Sequence, residues 1–304
     1  MSVSQLVARL RAGEIVVLDG ATGTELERRG VPTRLPLWSS WALLEAPQVV
    51  RAIHLDYVEA GADIITANTF RTHRRSLAEE GMGDRAEELT RLAVQLATGL
   101  REDTGREFLV AGSIAPLEDC YHPERVPGGD RLLAEHREMA ETLARAGVDL
   151  LLVETMGTLD EIAAASRAAR STGVPFMVSA VAREDGRLLG GQPLAEIVAL
   201  AESLEPIGLL VNCGDHRVTT KAVRYLAMAE PSLPFGAYAN MGRPKGDQGR
   251  GFTDELTPDE YVDVAREWVG MGAQLVGGCC GTTPAHIRAL AEALSSRGLD
   301  RPLV

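Results

Sequence analysis

The sequence predicts an α/β protein, a (β/α)8 barrel of the TIM type forming a single domain over residues 1–304. Three observations carry this. Eight short apolar runs recur along the chain, a helical pattern stands beside nearly every one, and the 304 residues suit eight such units, since the fold takes roughly 250 residues plus insertions. The runs are 15-IVVLD, 63-DIITAN, 108-FLVAGS, 149-DLLLVE, 176-FMVSAV, 207-IGLLVNC, 235-FGAYAN and 274-QLVGGC. Each is apolar on both alternations, as strands of a parallel sheet covered on both faces are.

Helical patterns cover Glu45 to Ala60, 84-DRAEELTRLAVQLATGLRED, 131-RLLAEHREMAETLARAG, 159-LDEIAAASRAARSTG, 194-LAEIVALAESL, 218-VTTKAVRYLAMA, 258-PDEYVDVAREWVGMG and 284-PAHIRALAEALSSRG. Thr158 with Glu161, and Thr257 with Glu260, have capping-box spacing, and Pro258 and Pro284 suit a first helical turn. Glycines end several helices, before Ala62, Val148, Val174 and Ala273, where a left-handed residue turns the chain back into a strand. An open doubly wound sheet would want a GxGxxG turn after the first strand, and 19-DGATGTELERRG does not supply it.

Composition narrows the function. A formal charge of −12 and a pI near 5.1 argue against nucleic acid or anionic membrane as a main partner. No apolar run approaches the roughly 20 residues that span a bilayer. The start, MSVSQLVARLRAGE, lacks the apolar core of a secretory signal, so a cytoplasmic protein is expected. Four cysteines are too few for a disulfide scaffold and stay reduced in that compartment. Oligomeric state is not legible: the extra helices can cover the barrel or meet a second copy, which leaves a homo-oligomer open.

In a barrel, chemistry belongs to the C-terminal strand ends. Read in order, those ends carry Asp19, Asn68, Ser113, Glu154, the region of Ala180, Cys213, Asn240 and the pair Cys279–Cys280. Any one of them has an ordinary structural reading, as a small buried thiol or a helix cap. Three thiols on strands six and eight form a pattern, because side chains of alternate strands share a layer. Catalytic zinc uses three protein ligands and leaves a fourth position for substrate. Two neighbouring cysteines on one ion need a bent backbone, which Gly277, Gly278 and Gly281 can provide. A vicinal disulfide or two unrelated core thiols are the alternatives. Cys120, in the loop after strand three, reads as an ordinary cysteine.

The segment 275-LVGGCCGTTPAHI resembles the signature of the zinc-dependent homocysteine S-methyltransferases, and 18-LDGATGTELERRG, 66-TANTF, 112-GSIAP, 147-GVDLLLVET, 211-VNC and 238-YAN agree in order. The resemblance runs from Asp19 to about Leu294. It implies a (β/α)8 barrel with Cys213, Cys279 and Cys280 as zinc ligands at the catalytic centre. It implies Asp19 and Glu154 beside the ammonium of homocysteine, backbone around Gly20 and Thr155 completing that pocket, and Asn240 near the metal. The chain departs from the family's pattern at 238-YANMG and over Pro116 to Gly129, regions that the resemblance implies face the methyl donor.

The implied chemistry explains the ligands. A free thiol is only slightly ionised at neutral pH, and zinc deprotonates a coordinating thiol. An anionic three-thiolate site keeps the acceptor sulfur nucleophilic toward a cationic methyl donor. Trp38, Trp41, Phe70 and Tyr121 are candidate aromatic faces for such a cation. Arg71 repels a trimethylammonium head unless it holds the donor's carboxylate, a role its fork suits. A sulfonium donor, S-methylmethionine or S-adenosylmethionine, is therefore expected ahead of betaine, with methionine as product. Other acceptors, a different thiol or a selenol, and a non-catalytic zinc- or redox-sensing barrel remain as rivals. A Schiff-base aldolase needs a strand-end lysine, but Lys221 falls in a helical pattern and Lys245 in a loop. A metal-dependent amidohydrolase wants an early HxH pair, and all six histidines are isolated.

Overall fold

The eight apolar runs are eight strands: β1 (Val16–Val17), β2 (Ile64–Ala67), β3 (Leu109–Ile114), β4 (Leu150–Met156), β5 (Phe176–Ala180), β6 (Gly208–Asp215), β7 (Phe235–Asn240) and β8 (Leu275–Gly278). The computed structural model describes residues 1–244, 252–253 and 255–294; Lys245 and the end of the last expected helix, Ser295 to Gly298, lie outside the described residues. All pairings within the eight-stranded sheet are parallel, in the order β1-β8-β7-β6-β5-β4-β3-β2. A parallel bridge from Leu18 to Ile64 joins the two ends of that order. The barrel is closed there by single backbone bonds, Asp63 N–H to Val17 O at 2.7 Å and Asp19 N–H to Ile64 O at 3.0 Å.

Eight helices follow the strands: α1 (Pro47–Ala60), α2 (Ala86–Thr98), α3 (Asp130–Ala146), α4 (Leu159–Ser171), α5 (Leu194–Leu204), α6 (His216–Met228), α7 (Pro258–Gly270) and α8 (Pro284–Leu294). Their apolar faces bury against the outside of the sheet in one cluster that includes Ile53, Val94, Leu143, Ile162, Val223 and Trp268. Gly61, Gly147, Gly173 and Gly272 all take positive φ at or just after helix ends, as expected. At Thr257 the capping box is complete, whereas Thr158 caps Glu161 N–H without the return bond. The Glu161 carboxylate turns inward instead, accepting from Leu117 N–H at 2.9 Å and meeting His136 Nε2 at 3.3 Å. Just after β7, Arg243–Pro244 pairs antiparallel with Phe252–Thr253 in a short ribbon. No described helix is long and apolar enough to cross a membrane.

The N-terminal helix Val3–Arg11 is not one of the eight. It packs Leu6 and Leu10 into the barrel-interior cluster of Leu18, Ile64, Leu109, Leu152, Met177 and Leu275. Its Arg9 forks onto Asp63 at the foot of β2, with Nη1 at 2.7 Å from Oδ1 and Nη2 at 3.2 Å from Oδ2. The helix thus closes the end of the barrel opposite the strand-end residues, so ligands approach from the other end. Leu6→Ala should destabilise the protein by about 2–4 kcal/mol through the cavity it leaves. Chemical denaturation checks this, and a loss below about 1 kcal/mol would show that the helix is not a plug.

Candidate active site

Two strands bend where they reach the mouth. In β4, Val153 pairs Val178 but Met156 pairs Ala180, so one extra residue is inserted at Glu154–Thr155. In β6, Asn212 pairs Tyr238 but Asp215 pairs Asn240, which puts the same irregularity at Cys213–Gly214. Such bulges re-aim side chains at strand ends. Thr155 and Cys213 take positive φ, 60° and 59°, costly for a residue with a side chain and tolerated where the surroundings over-determine it. The surroundings here include Asn212. Its Oδ1 accepts from Thr155 N–H at 3.1 Å and Ser179 Oγ at 2.7 Å, and its Nδ2 donates to Thr155 Oγ1 at 2.9 Å.

Asp19 and Glu154 both lie buried beneath this mouth. Asp19 accepts from Thr66, N–H at 2.7 Å and Oγ1 at 2.9 Å. Glu154 accepts from Ser113 Oγ at 2.5 Å and Tyr238 OH at 2.9 Å. Burial pushes Asp19 up to about 8, against the bonds from Thr66 and with some help from Glu154. Burial likewise pushes Glu154 up to about 7. Two carboxyls this dry gain most from a cationic partner, which would restore both to their charged forms.

The Sγ atoms of Cys213, Cys279 and Cys280 all lie within 4.8 Å of one another. Asn240 clips their two loops together, donating Nδ2 to Cys213 O at 3.0 Å and accepting Cys280 N–H at 3.1 Å. The Cys279 and Cys280 thiols hydrogen-bond to Cys213 and hold it well below the ordinary thiol value, and those bonds push their own values up. The glycines differ from expectation. Only Gly281 of the three is left-handed. Gly277 and Gly278 are needed for space: a Cβ on Gly278 would sit 2.2 Å from Thr282 Oγ1, and one on Gly277 2.7 Å from Leu18 Cβ.

A cavity of about 250 Å³ joins these groups, lined also by Gly20, Thr155 and Asn240. Trp38, Phe70 and Tyr121 line it, but Trp41 does not; its ring stacks under Arg34 at 3.9 Å instead. Cys120, expected to be an ordinary cysteine, lines the cavity as well, next to Tyr121, whose hydroxyl lies 3.2 Å from Cys213 Sγ. Asn68 and Ser39 line the cavity too, joined by the Ser39 hydroxyl donating to Asn68 Oδ1 at 2.6 Å. Lys221 is on α6, paired with Glu184.

A family model described as homocysteine S-methyltransferase matches residues 16–294. The chain belongs to the homocysteine S-methyltransferase family. It is 33% identical to the homocysteine S-methyltransferase of Escherichia coli, over 94% of this chain and 97% of that one. It is 30% identical to the selenocysteine methyltransferase of Astragalus bisulcatus, over 94% of each. The metallated crystal form of the Escherichia coli homocysteine methyltransferase MmuM superposes with a TM-score of 0.81 at 31% identity, covering 93% of this chain and 98% of the other.

This methyltransferase has site residues that sequence reasoning passed over. Thr66 and Tyr238 serve the carboxyls, and Asn212 ties the bulges. Tyr238 stands two residues before Asn240, so strand alternation alone places it on the same face. Asn212 gives no such signal, because its role exists only once the two bulges are side by side.

The raised carboxyls make stability depend on pH. Asp19 ionises near 3.8 in the unfolded chain but near 8 in the folded one. Between those values the unfolded chain binds fewer protons, so stability falls as pH rises. Asp19→Asn should flatten that slope between about pH 4 and 8, and Glu154→Gln should flatten it up to about 7. Thermal unfolding of parent and variants at pH 5 and pH 8, without amino-acid ligands, checks it. Equal slopes in all three proteins would contradict the buried neutral carboxyls.

Proposed function

We propose that this enzyme transfers a methyl group from a small sulfonium donor, S-methylmethionine first, to the thiol of homocysteine, giving methionine at a zinc site in one barrel domain of a cytoplasmic protein. The observation that carries the reading is the triangle of three thiols beside two buried carboxyls in one cavity. Zinc fits that triangle. A tetrahedral ion with Zn–S bonds of ~2.3 Å sets its sulfurs about 3.8 Å apart, within the observed 4.8 Å limit. An all-sulfur donor set suits a soft ion, and three ligands leave the fourth position to substrate. Bound by Cys213, Cys279 and Cys280, zinc supplies ionisation of the acceptor thiol.

The chain's own residues orient the reactants. Asp19 and Glu154 hold the homocysteine ammonium, and backbone at Gly20 and Thr155 completes that pocket. Asn240 keeps the cysteine loops in register. The homocysteine sulfur, its proton already lost to solvent, forms a bond to the methyl carbon as the donor's C–S bond breaks in line. The electron pair of the broken bond stays on the departing sulfur, turning a sulfonium into a thioether. With S-methylmethionine both products are methionine, and one cation and one thiolate are neutralised. No general base acts in that step.

The size of the cavity bears on the donor. About 250 Å³ falls below the roughly 300–1,000 Å³ of sites for drug-sized ligands. That volume favours a donor of amino-acid size over one carrying an adenosyl group. Trp38, Phe70 and Tyr121 offer ring faces for its cationic methyl groups, so betaine stays second by chemistry rather than by size. A selenol acceptor is the second reading, because relatives named for selenocysteine are about as similar as those named for homocysteine.

Protein purified without chelator should carry one zinc per chain by elemental analysis, and Cys213→Ala should lose it. Full zinc in that variant would sink the three-thiolate site. Glu154→Gln should raise KM for homocysteine about 10- to 100-fold, the loss of one charged hydrogen-bonded contact. Methionine formation with S-methylmethionine, S-adenosylmethionine and betaine at matched concentrations decides the donor, and selenocysteine in place of homocysteine tests the acceptor. Faster turnover with betaine than with either sulfonium compound would overturn the donor assignment.

A further inference from the structure

One cation in the cavity has no counter-ion among the described residues. Arg71 follows β2, lines the cavity and is 6% exposed, yet no carboxylate among the described residues pairs with it. Its Nη1 donates to two carbonyls, Glu118 O at 3.0 Å and Pro116 O at 3.4 Å, which anchors the guanidinium without neutralising it. The Phe70 ring lies 5.3 Å from its Cζ. Buried charges are ordinarily paired, because desolvation of an isolated one is expensive.

We infer that Arg71 is the anchor for the methyl donor's carboxylate, so that the enzyme selects donors that carry one. The inference rests on the methyl-transfer reading above. Nη1 is occupied, which leaves Nε and Nη2 free of partners among the described residues. Those two atoms form the side-on edge of the guanidinium, the geometry that takes a carboxylate through two parallel bonds. Homocysteine's own ammonium is assigned to Asp19, at the end of β1, and Glu154, on β4. Arg71 belongs instead to the side of the cavity built by Phe70 and the 116–121 segment, where the donor's cationic methyls would meet the rings of Phe70 and Tyr121. An unpaired guanidinium there repels a bare sulfonium cation. A carboxylate on the same donor removes that repulsion and adds two charged hydrogen bonds, so one residue both attracts the right donor and rejects the wrong one.

The test compares S-methylmethionine with trimethylsulfonium, a methyl sulfonium without a carboxylate, on zinc-loaded enzyme. Arg71→Met should lower the preference for S-methylmethionine over trimethylsulfonium in kcat/KM by about 10- to 100-fold, mostly through KM for S-methylmethionine. KM for homocysteine should move little. Arg71→Lys should recover only part of the preference, since it restores the charge but not the fork. An unchanged preference overturns the inference. So does an equal loss with both donors, which would assign Arg71 to holding the 116–118 segment. Calorimetric titration with S-methylmethionine in the absence of homocysteine gives a readout independent of turnover. If the parent enzyme methylates nothing but binds S-methylmethionine, and Arg71→Met abolishes that binding, the carboxylate anchor stands and the methyl-transfer reading falls. If the parent neither turns over nor binds it, both fall.

Discussion

A β-strand sends successive side chains to opposite faces, and this site needs neighbouring residues to serve one cavity. Glu154 must reach Ser113 and Tyr238 while Thr155, next in the chain, also lines the cavity; Cys213 must reach two thiols while Asn212 reaches across to β4. One inserted residue in each of β4 and β6 resolves the conflict. The cost is a left-handed backbone at a β-branched threonine and at a cysteine, conformations that persist only when fixed from outside. Asn212 does much of that fixing, and its three side-chain hydrogen bonds all lie within the buried layer under the cavity. Asn240 does the same for the two cysteine loops. The pattern is two amides, each joining pairs of strand ends, with the reactive groups carried on what they join.

The electrostatics follow from where those groups end up. The Asp19 and Glu154 carboxyls and four thiols line one small cavity, and burial drives these carboxyls toward their neutral forms. Such a site is poorly satisfied by itself and well satisfied by cations: a metal among the sulfurs, an ammonium between the carboxyls, a sulfonium at the rings. Arg71 is the exception in sign, a buried positive charge lining the same cavity. Together they line one cavity with both acidic and basic side chains.

Much of this was legible in the sequence. The eight runs, their helices and the glycine ends were read correctly because a buried parallel strand and an amphipathic helix leave local signatures of period and punctuation. The three cysteines and the two carboxyls were legible because a barrel sends every strand's C-terminal end to one mouth, so chain order suffices to list them. The plug formed by Leu6 and Leu10 was missed: a nine-residue amphipathic helix looks the same whether it lies on a surface or stops a barrel. Glu161 was read as half of a capping box, and the buried Leu117 N–H won its carboxylate instead.

The sequence by itself determined the architecture, the family and the residue types at each strand end, since these depend on local pattern and on a topology that repeats. Only the tertiary structure decided which side chains meet. The pairing of Asn212 with Thr155, the entry of Cys120 and Tyr121 into the cavity, the exclusion of Trp41 and the burial of Arg71 against two carbonyls all depend on one-residue insertions and loop paths. Those are settled by packing between segments far apart in the chain, and no short window of sequence contains both partners.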